Sequence, residues 1–347
     1  MSKIVKIGNI KIGGGEKIAV QSMTTCRLAD VDKSISAVKA LEEVGCDIVR
    51  FSVLDESDAK AIKEVKKHIN IPLVADIHFD YRLAIESIKN GADKIRINPG
   101  NIGGEENVRK VAEVLKEYSV PVRVGSNTGS IEKEFLAKYG KSEISLGESA
   151  LKNVALLEKY GVNDIVISVK ASDVKLAVKA YEYVFKKCDY PLHLGITEAG
   201  TEFSGTIKSS IGIGALLLKG IGDTIRVSLS ADPVKEVLAG KQILSALNLI
   251  DEGVKIVACP TCGRCAWNCM EFASITEQFV SNIKTPLKIA VMGCAVNGPG
   301  EAKDCDLGIA GAGNGDVIIF KKGEIIKRAK QEQAKQIFFE EIEKCIQ

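Results

Sequence analysis

The sequence predicts a (β/α)8 TIM barrel followed by a small α+β domain, a fold of the α/β class. Short apolar segments alternate with longer helical patterns eight times between residues 17 and 247. Both faces of these segments are apolar, which is typical of parallel strands covered by helices. Beyond residue 247 the alternation ends and cysteines become frequent. We therefore expect a substrate-binding barrel at 1–247 and a second domain at 248–347, with a linker at 248–253.

Length and composition restrict the class of protein. With 347 residues the chain is longer than one hydrophobic core usually supports, so two domains are expected. The 47 basic and 45 acidic residues leave a net charge of +2, which gives no reason to expect nucleic acid or a membrane as a partner. The first residues lack the apolar core of a signal peptide, and no segment reaches the length of a membrane span. A cytoplasmic location is expected.

The predicted elements of the barrel follow the chain in order. A hairpin with strands at 4–7 and 10–12 comes first. Two of the helical patterns begin after an aspartate and end at a glycine, Asp30 with Gly45 and Asp80 with Gly91, and an Asp-Pro pair at 232–233 starts the last one. The eight barrel strands are expected at 17–24, 47–53, 72–78, 94–98, 121–127, 164–170, 191–197 and 224–230.

One local pattern repeats along the barrel. A glycine ends a helix, an aspartate opens a strand, and an arginine follows three residues later with a polar residue two beyond it. A weaker copy lies at 161–170. We interpret these as repeated half-units of the barrel. The full copies read Gly45-Cys-Asp47-Ile-Val-Arg50-Phe-Ser52, Gly91-Ala-Asp93-Lys-Ile-Arg96-Ile-Asn98 and Gly220-Ile-Gly-Asp223-Thr-Ile-Arg226-Val-Ser228.

Pairs of polar residues mark the ends of the predicted strands. Residues two apart share one face of a strand, and each pair lies toward the carboxyl end, where barrels of this kind carry their active sites. A single arginine there is usually a surface residue, but a repeated register is harder to explain in that way. The pairs are Arg50/Ser52, Asp76/His78, Arg96/Asn98, Arg123/Asn127, Ser168/Lys170 and Arg226/Ser228.

The charges of this set predict an anionic ligand. Four arginines and Lys170 face only two carboxylates, Asp76 and Glu198, which leaves three positive charges at one mouth. Unpaired buried charges are costly, so a polyanion, most plausibly a diphosphate, would supply their partners. Glu198 stands where a strand becomes a glycine-bounded loop, and is a candidate proton donor or substrate-orienting group. His78 is an open candidate, whereas His193 is expected to be a satisfied core residue.

The remainder of the chain predicts a small domain that carries the cysteines. Strands are expected at 254–258, 287–292, 306–310 and 316–320, with a hairpin through Lys322-Gly323 and a final helix at 329–345. The run Cys259-Pro-Thr-Cys262-Gly-Arg-Cys265-Ala-Trp-Asn-Cys269 has the spacing of a bacterial ferredoxin. Met270 replaces the proline of that run, however, and nothing provides for a second cluster. Structural zinc is the competing interpretation.

Several motifs together resemble the bacterial 4-hydroxy-3-methylbut-2-enyl diphosphate synthase family of the non-mevalonate isoprenoid pathway. The resemblance covers nearly the whole chain and thins in the last forty or so residues. The motifs are Val20-Gln-Ser-Met-Thr-Thr25, Val74-Ala-Asp-Ile-His-Phe-Asp-Tyr-Arg82, Arg96-Ile-Asn-Pro-Gly-Asn-Ile-Gly103, Val169-Lys-Ala-Ser-Asp173, His193-Leu-Gly-Ile-Thr-Glu-Ala-Gly200, Arg226-Val-Ser228, Cys259-Pro-Thr-Cys262-Gly-Arg264 and Cys294-Ala-Val-Asn297-Gly-Pro-Gly300-Glu301.

The resemblance implies a cofactor and a reaction. A [4Fe-4S] cluster would be held by Cys259, Cys262, Cys294 and Glu301, and the hard carboxylate on a soft thiolate cluster would leave one iron easily vacated. The substrate implied is 2-C-methyl-D-erythritol 2,4-cyclodiphosphate, whose ring is opened and which loses water as two electrons arrive. The barrel cations would hold its diphosphate, and Glu198 corresponds to the family's glutamate beside the reacting centre.

The resemblance also implies partners and leaves two cysteines unexplained. Family members are homodimers in which the cluster domain of one subunit caps the barrel of the other, and a flavodoxin or ferredoxin supplies electrons. The linker at 248–253 would serve as a hinge. Cys265 and Cys269 depart from the family pattern, and we interpret them as spare thiols that are structural or redox-sensitive. Two alternatives stay open, a pterin- or corrinoid-linked methyltransferase barrel and a zinc-binding protein without enzyme activity.

Overall fold

The chain divides into two units, Met1–Leu249 and Ile250–Gln347. A computed structural model describes residues 1–251, 253–281, 283–296 and 298–346, and the side chain of Glu301 also lies outside the description. The sequence places the boundary between the units two residues earlier, and residue 252 of the expected linker is outside the described residues. No helix in the described part of the chain combines the length and the apolar character that a membrane span requires.

The first unit is a closed barrel of eight parallel strands, as the sequence predicts. Neighbouring strands pair in register around the sheet, and a parallel bridge between Ile167 and Leu192 joins its two ends. After an antiparallel hairpin of β1 (Val5–Ile7) and β2 (Ile10–Ile12), the barrel strands are β3 (Ala19–Met23), β4 (Ile48–Ser52), β5 (Leu73–Asp76), β6 (Lys94–Ile97), β7 (Val122–Asn127), β8 (Ile165–Lys170), β9 (His193–Leu194) and β10 (Thr224–Ile225).

Helices cover the outside of the barrel strands. All of them except α5 bury side chains against the barrel, and Asp30, Asp80 and Asp232 cap their helices by accepting a hydrogen bond from a backbone N–H in the first turn. Gly45 and Gly91 follow their helices at φ of +80° and +92°, a region that favours glycine. The helices are α1 (Val31–Glu43), α2 (Glu56–Val65), α3 (Tyr81–Lys89), α4 (Glu105–Tyr118), α5 (Lys133–Tyr139), α6 (Glu143–Lys159), α7 (Val174–Phe185), α8 (Glu202–Leu217) and α9 (Pro233–Ala246).

The repeated aspartates join neighbouring strands at the amino end of the barrel. Asp47 Oδ2 accepts a hydrogen bond from Val20 N at 2.7 Å. Asp93 accepts one from Leu73 N at 2.8 Å, and Asp223 accepts one from Leu192 N at 2.8 Å. Each carboxylate therefore satisfies a backbone donor at the start of the adjacent strand, where the sheet ladder offers no partner. The repeated aspartate in the sequence is therefore explained by this hydrogen bond between neighbouring strands. The hairpin of β1 and β2 packs its buried apolar side chains against the same end of the barrel.

Strands β9 and β10 are much shorter than the sequence predicts. The expected strands at 191–197 and 224–230 each retain two residues of regular ladder. Arg226 N still donates to Leu194 O at 2.9 Å, but Leu229 N donates to the Glu236 carboxylate at 3.0 Å. A side chain and loop contacts replace the ladder, so both segments become loops at the barrel mouth.

The second unit is a five-stranded sheet in the order β11–β12–β13–β14–β15. The first three strands are parallel and the last three form an antiparallel meander. Apolar side chains from the sheet pack with α10 and α12 around Phe272 and Phe338. The elements are β11 (Val254–Ala258), α10 (Cys269–Val280), β12 (Leu287–Met292), α11 (Gly298–Glu301), β13 (Leu307–Gly313), β14 (Asp316–Lys321), β15 (Glu324–Lys330) and α12 (Ala334–Ile346).

Two features of this unit differ from the prediction. The final helix, expected at 329–345, begins at Ala334, because Ala329 and Lys330 pair with Val317 and Asp316 in the last hairpin. Helix α10 was not predicted at all.

Candidate functional site

A buried carboxylate lies at the centre of the carboxyl end of the barrel. Asp76, the last residue of β5, forms ion pairs with Arg96 on β6 at 3.1 Å and with Arg50 on β4 at 3.7 Å. Arg50 also donates to Met23 Sδ at 2.8 Å. Burial alone would raise the pKa of the Asp76 carboxyl. The positive charges of Arg50, Arg96 and Arg123 together outweigh this effect and lower the pKa to about 2. The carboxylate stays ionised and orients two guanidinium groups.

Two further cations lie beside this cluster, and neither forms an ion pair with a carboxylate of the described residues. Arg123 on β7 is 1% exposed, and its Nε and Nη1 atoms are buried without a hydrogen-bond partner in that part of the chain. Lys170 ends β8 and is also buried. Burial lowers the pKa of Lys170 well below its ordinary value, and repulsion from Arg123, Arg50, Arg226 and Arg96 lowers it further. The predicted cations are therefore brought together, and they repel one another.

A fifth predicted cation lines a cavity of about 390 Å³ at the mouth. Arg226 lies 3.4 Å from Glu236, a buried carboxylate on α9 that also accepts from Ser22 Oγ at 3.0 Å. Glu198 and Ser228 line the same cavity. Glu198 is exposed and has a φ of +52°, a left-handed conformation that costs about 1–2 kcal/mol for a residue with a side chain. Strain of this kind concentrates at functional sites.

The other predicted site residues lie at the rim. His78 follows β5 and is exposed. Asn127 ends β7 and accepts a hydrogen bond from Gly129 N at 3.0 Å, which fixes the turn beyond the strand. His78 is exposed and Asn127 is half-buried, whereas Arg123 is buried.

Sequence reasoning missed a polar layer beneath the mouth. Among the residues that the structure describes, the fully buried Nζ of Lys94 and both buried amide atoms of Gln21 have no hydrogen-bond partner. His193 bonds Thr224 Oγ1 through Nδ1 at 2.7 Å, but its Nε2 has no partner among the same residues, so it is only partly the satisfied core residue that was expected. Lys94 could have been found, because it precedes Arg96 by two residues on the same strand face. Glu236 could not, because a glutamate in a first helical turn is usually exposed.

The mouth is thus suited to an anion with several oxygens. Cations outnumber carboxylates, and buried N–H groups of Arg96 and Arg123 lack partners among the described residues. Buried donors of this kind gain most from a charged acceptor. Arginine also binds phosphate oxygens in a bidentate manner.

The position of Arg96 can be tested through a neighbouring glycine. A Cβ atom at Gly125 would lie 2.7 Å from Arg96 Nε, so Gly125→Ala should push the guanidinium away from Asp76. We expect affinity for inorganic diphosphate to fall about 10-fold, which corresponds to about 1.4 kcal/mol, as measured by calorimetry. Gly214→Ala on α8 is the control, because, apart from its chain neighbours and its own helix backbone, no atom of the described structure lies within 4 Å of its added Cβ. Equal affinity in the two variants would contradict this role of Arg96.

The second unit places two of the predicted cluster cysteines at the carboxyl ends of neighbouring parallel strands. Cys259 follows β11, Cys294 follows the adjacent parallel strand β12, and Cys259 N donates to Val291 O at 2.9 Å. Both side chains are half-buried. Cys262 is exposed, and hydrogen bonds from the backbone and side chain of Arg264 lower the pKa of its thiol. A lower pKa favours the thiolate that metals bind.

The donor set is chemically suited to an iron–sulfur cluster. Within the described residues, no three His, Cys, Asp or Glu side chains gather closely enough to hold one metal ion. Cys259, Cys262 and Cys294 are free thiols, and the pKa of Cys262 is lowered. Such thiols are suitable ligands for an iron–sulfur cluster. The fourth predicted ligand, the Glu301 side chain, lies outside the description.

Both units match known families. Residues 2–241 match the family described as the GcpE TIM-barrel domain, and residues 255–344 match the GcpE protein C-terminal domain. A relative from Caldanaerobacter subterraneus subsp. tengcongensis is 60% identical over 100% of this chain and 98% of its own length. One from Ruminiclostridium cellulolyticum is 55% identical over 98% and 97%. Both are named 4-hydroxy-3-methylbut-2-en-1-yl diphosphate synthase (flavodoxin).

Two solved structures resemble this chain over part of its length. The dihydropteroate synthase of Yersinia pestis aligns with 72% of this chain and 100% of its own, with a TM-score of 0.53 at 11% identity. That of Xanthomonas albilineans covers 72% of this chain and 99% of its own, with a TM-score of 0.51 at 12% identity. At such identities the likeness concerns the fold and carries no functional conclusion.

Proposed function

The chain belongs to the GcpE family of 4-hydroxy-3-methylbut-2-en-1-yl diphosphate synthases, and from this premise we propose how its two units divide the work. The barrel holds the substrate, and the second unit holds a [4Fe-4S] cluster on Cys259, Cys262, Cys294 and Glu301. The cation-rich mouth of the barrel is the observation that carries the proposal, because it requires an anionic partner.

The protein is an oxidoreductase of non-mevalonate isoprenoid biosynthesis. It converts 2-C-methyl-D-erythritol 2,4-cyclodiphosphate to (E)-4-hydroxy-3-methylbut-2-enyl diphosphate, with ring opening and loss of a hydroxyl group as water. The [4Fe-4S] cluster, when bound, would pass on the two electrons one at a time from the external donor.

The barrel residues bind and orient the diphosphate of this substrate. Arg96 and Arg50 are held by Asp76, so their guanidinium groups are already positioned before the ligand arrives. The diphosphate would also supply a charge partner to Arg123 and Lys170, which form no ion pair with a carboxylate in the described part of the chain. Arg226, Ser228, His78 and Asn127 surround the mouth and would contact the remaining oxygens. Because the bound anion reduces repulsion among the cations, its binding should also raise the pKa of Lys170.

Glu198 is proposed to hold the proton that the departing hydroxyl group requires. We expect Glu198→Gly to lower turnover by about 10²–10⁴-fold and to leave thermal stability unchanged or slightly raised, since glycine relieves the strain at φ +52°. Ser119→Gly is the matched control, at an exposed residue with φ +54° at the end of α4. It should show the same stability effect with full turnover. A Glu198→Gly enzyme with normal turnover would exclude the role.

Glu301 is proposed as the exchangeable ligand of the cluster. We expect Glu301→Ala to keep most of its iron, since three thiolates remain, but to lose turnover. Iron analysis and an anaerobic turnover assay measure the two effects separately. Unchanged turnover would exclude this role for Glu301.

The electron donor and the assembly complete the proposal. The names of the relatives indicate a flavodoxin as electron donor, and a ferredoxin could replace it. The basic residues of the last hairpin are poor candidates for docking an acidic electron donor, because they already have partners. Lys327 pairs with Glu341 at 2.5 Å and Arg328 with Asp316 at 3.0 Å. We propose a homodimer in which the cluster domain of one subunit covers the barrel of the other. The ten free cysteines favour a cytoplasmic location.

Anaerobic purification tests the function. We expect a brown protein that consumes the cyclodiphosphate in the presence of dithionite and a viologen dye, and forms the linear diphosphate. A colourless protein with bound zinc would support the non-enzyme alternative. Binding of a pterin or corrinoid without turnover of the cyclodiphosphate would support the methyltransferase alternative. Either result would overturn the proposal.

A further inference from the structure

Two cysteines outside the proposed ligand set form a close pair. The sulfur atoms of Cys265 and Cys269 are 3.6 Å apart. Cys265 is half-buried, whereas Cys269 is 2% exposed at the first turn of α10. A disulfide would require the two sulfurs to approach by about 1.5 Å more. Cys265 is the more exposed residue of the pair, and its thiol donates a hydrogen bond to Trp267 O at 3.0 Å.

The pair lies in a segment that is hydrogen-bonded to residues next to two of the proposed ligands, Cys262 and Cys294. Cys265 N donates to Cys262 O at 2.9 Å, which closes a turn on one ligand. Ala266 N donates to Gly293 O at 2.9 Å, and Trp267 Nε1 donates to Met292 O at 2.8 Å. These bonds fasten the segment to the end of β12, one residue before Cys294.

The backbone beneath the pair leaves no room for a side chain. A Cβ atom at Gly293 would lie 2.9 Å from the sulfur of Cys265 and 3.5 Å from that of Cys269. Both thiols therefore rest on the same peptide and are held on the same side of it. This contact restrains the two sulfurs where they can meet.

We propose that Cys265 and Cys269 are a reversible oxidation site for peroxides. The sulfur of Cys265 attacks the peroxide, the O–O bond breaks, and Cys265 becomes a sulfenic acid while one water leaves. The sulfur of Cys269 then attacks the sulfenic sulfur, the S–S bond forms and a second water leaves. The two thiols lose two electrons and two protons, and hydrogen peroxide takes up both. A cellular dithiol reverses the reaction.

The expected benefit is protection of a segment that carries a proposed cluster ligand. Without Cys269, the sulfenic acid of Cys265 would be oxidised irreversibly to the sulfinic acid, a charged group pressed against Gly293. This would disturb the turn that positions Cys262. The effect on the cluster rests on the proposed function, whereas the disulfide itself does not.

The disulfide is tested on the full-length protein freed of metal. Reduced protein is treated with hydrogen peroxide, alkylated, digested and analysed by mass spectrometry. We expect one unalkylated peptide that links Cys265 to Cys269, about two mass units below the dithiol form, and its loss after dithiothreitol. Cys188→Ser, a half-buried cysteine of the barrel, should leave the disulfide unchanged. Recovery of Cys265 and Cys269 as thiols, or a disulfide from Cys265 to another residue, would overturn the proposal.

Cys269→Ser tests the order of the two steps. In this variant we expect Cys265 to accumulate as sulfinic acid that dithiothreitol does not restore, and iron loading after the peroxide cycle to fall several-fold below that of the wild type. Equal recovery of the Cys265 thiol in both proteins would refute the resolving role of Cys269. If protein that was never oxidised fails to load iron, the proposed cluster is wrong, and the disulfide map stands independently.

Discussion

Replacing Cys294 with serine is expected to remove the iron–sulfur cluster while the fold persists. A serine hydroxyl is a poor substitute for a soft thiolate, and even residues that only orient a ligand change metal affinity by about 10–100-fold, so we expect a loss above about 100-fold. Cys294 is half-buried beyond the end of β12 and belongs to neither core cluster of the second unit. Iron analysis and the unfolding temperature of the apoprotein measure the two effects.

Cys265→Ser is the matched control for that experiment. It is equally half-buried and lies in the same unit, but it is outside the proposed ligand set. We expect it to retain iron and turnover. If Cys265→Ser or Cys269→Ser loses as much iron as Cys294→Ser, the ferredoxin-like spacing of the sequence describes the ligands after all.

Replacing Asp76 with asparagine should have the largest effect on the stability of the barrel. The variant leaves Arg50 and Arg96 buried without their carboxylate, and breaking a buried pair in this way costs about 3–5 kcal/mol. Denaturant unfolding measures the loss. Glu56→Gln, at an exposed surface ion pair, should change the free energy of unfolding by less than about 0.5 kcal/mol. Inorganic diphosphate should stabilise the Asp76→Asn variant, because it supplies the missing negative charge.

The same variant has a defined pH dependence. The pKa of Asp76 is about 2 in the folded protein and 3.8 ordinarily, so its stabilisation is complete above about pH 4 and is lost as the pH falls through 2. The difference in unfolding free energy between wild type and variant should therefore be constant at neutral pH and shrink by about 2 kcal/mol between pH 4 and 2. A constant difference throughout would show that Asp76 is not paired as described.

Much of the barrel could be predicted because apolar strands alternate with helical patterns along the sequence. Within a strand the side chains alternate between the two faces, which placed Arg50, Asp76, Arg96 and Lys170 toward one ligand site, and the structure brings them together. It could not reveal how far each strand remains paired. The ends of β9 and β10 depend on Glu236, which lies on a helix and bonds a loop N–H, a tertiary contact that no local pattern announces.

The second unit was predicted less well for similar reasons. Residues 329–333 have helix-forming side chains, yet 329 and 330 complete the ladder of β15 because the hairpin holds them opposite β14. Helix α10 begins at Cys269, the last residue of the cysteine run, whose spacing indicates a metal site and carries no helix signal. The assignment of Cys294 and Glu301 as cluster ligands, in place of Cys265 and Cys269, rests on the family resemblance and not on the cysteine spacing.

The central claim is that the substrate held by the barrel cations is the one that the cluster reduces. Electron paramagnetic resonance of the reduced, iron-loaded protein tests it most directly, with and without the cyclodiphosphate. We predict that the substrate changes the cluster spectrum in the wild type and that Lys170→Met, which removes a buried cation of the mouth, abolishes the change at the same substrate concentration while the substrate-free spectrum is preserved. A wild-type spectrum that is indifferent to the substrate, or an equal change in Lys170→Met, would contradict the account.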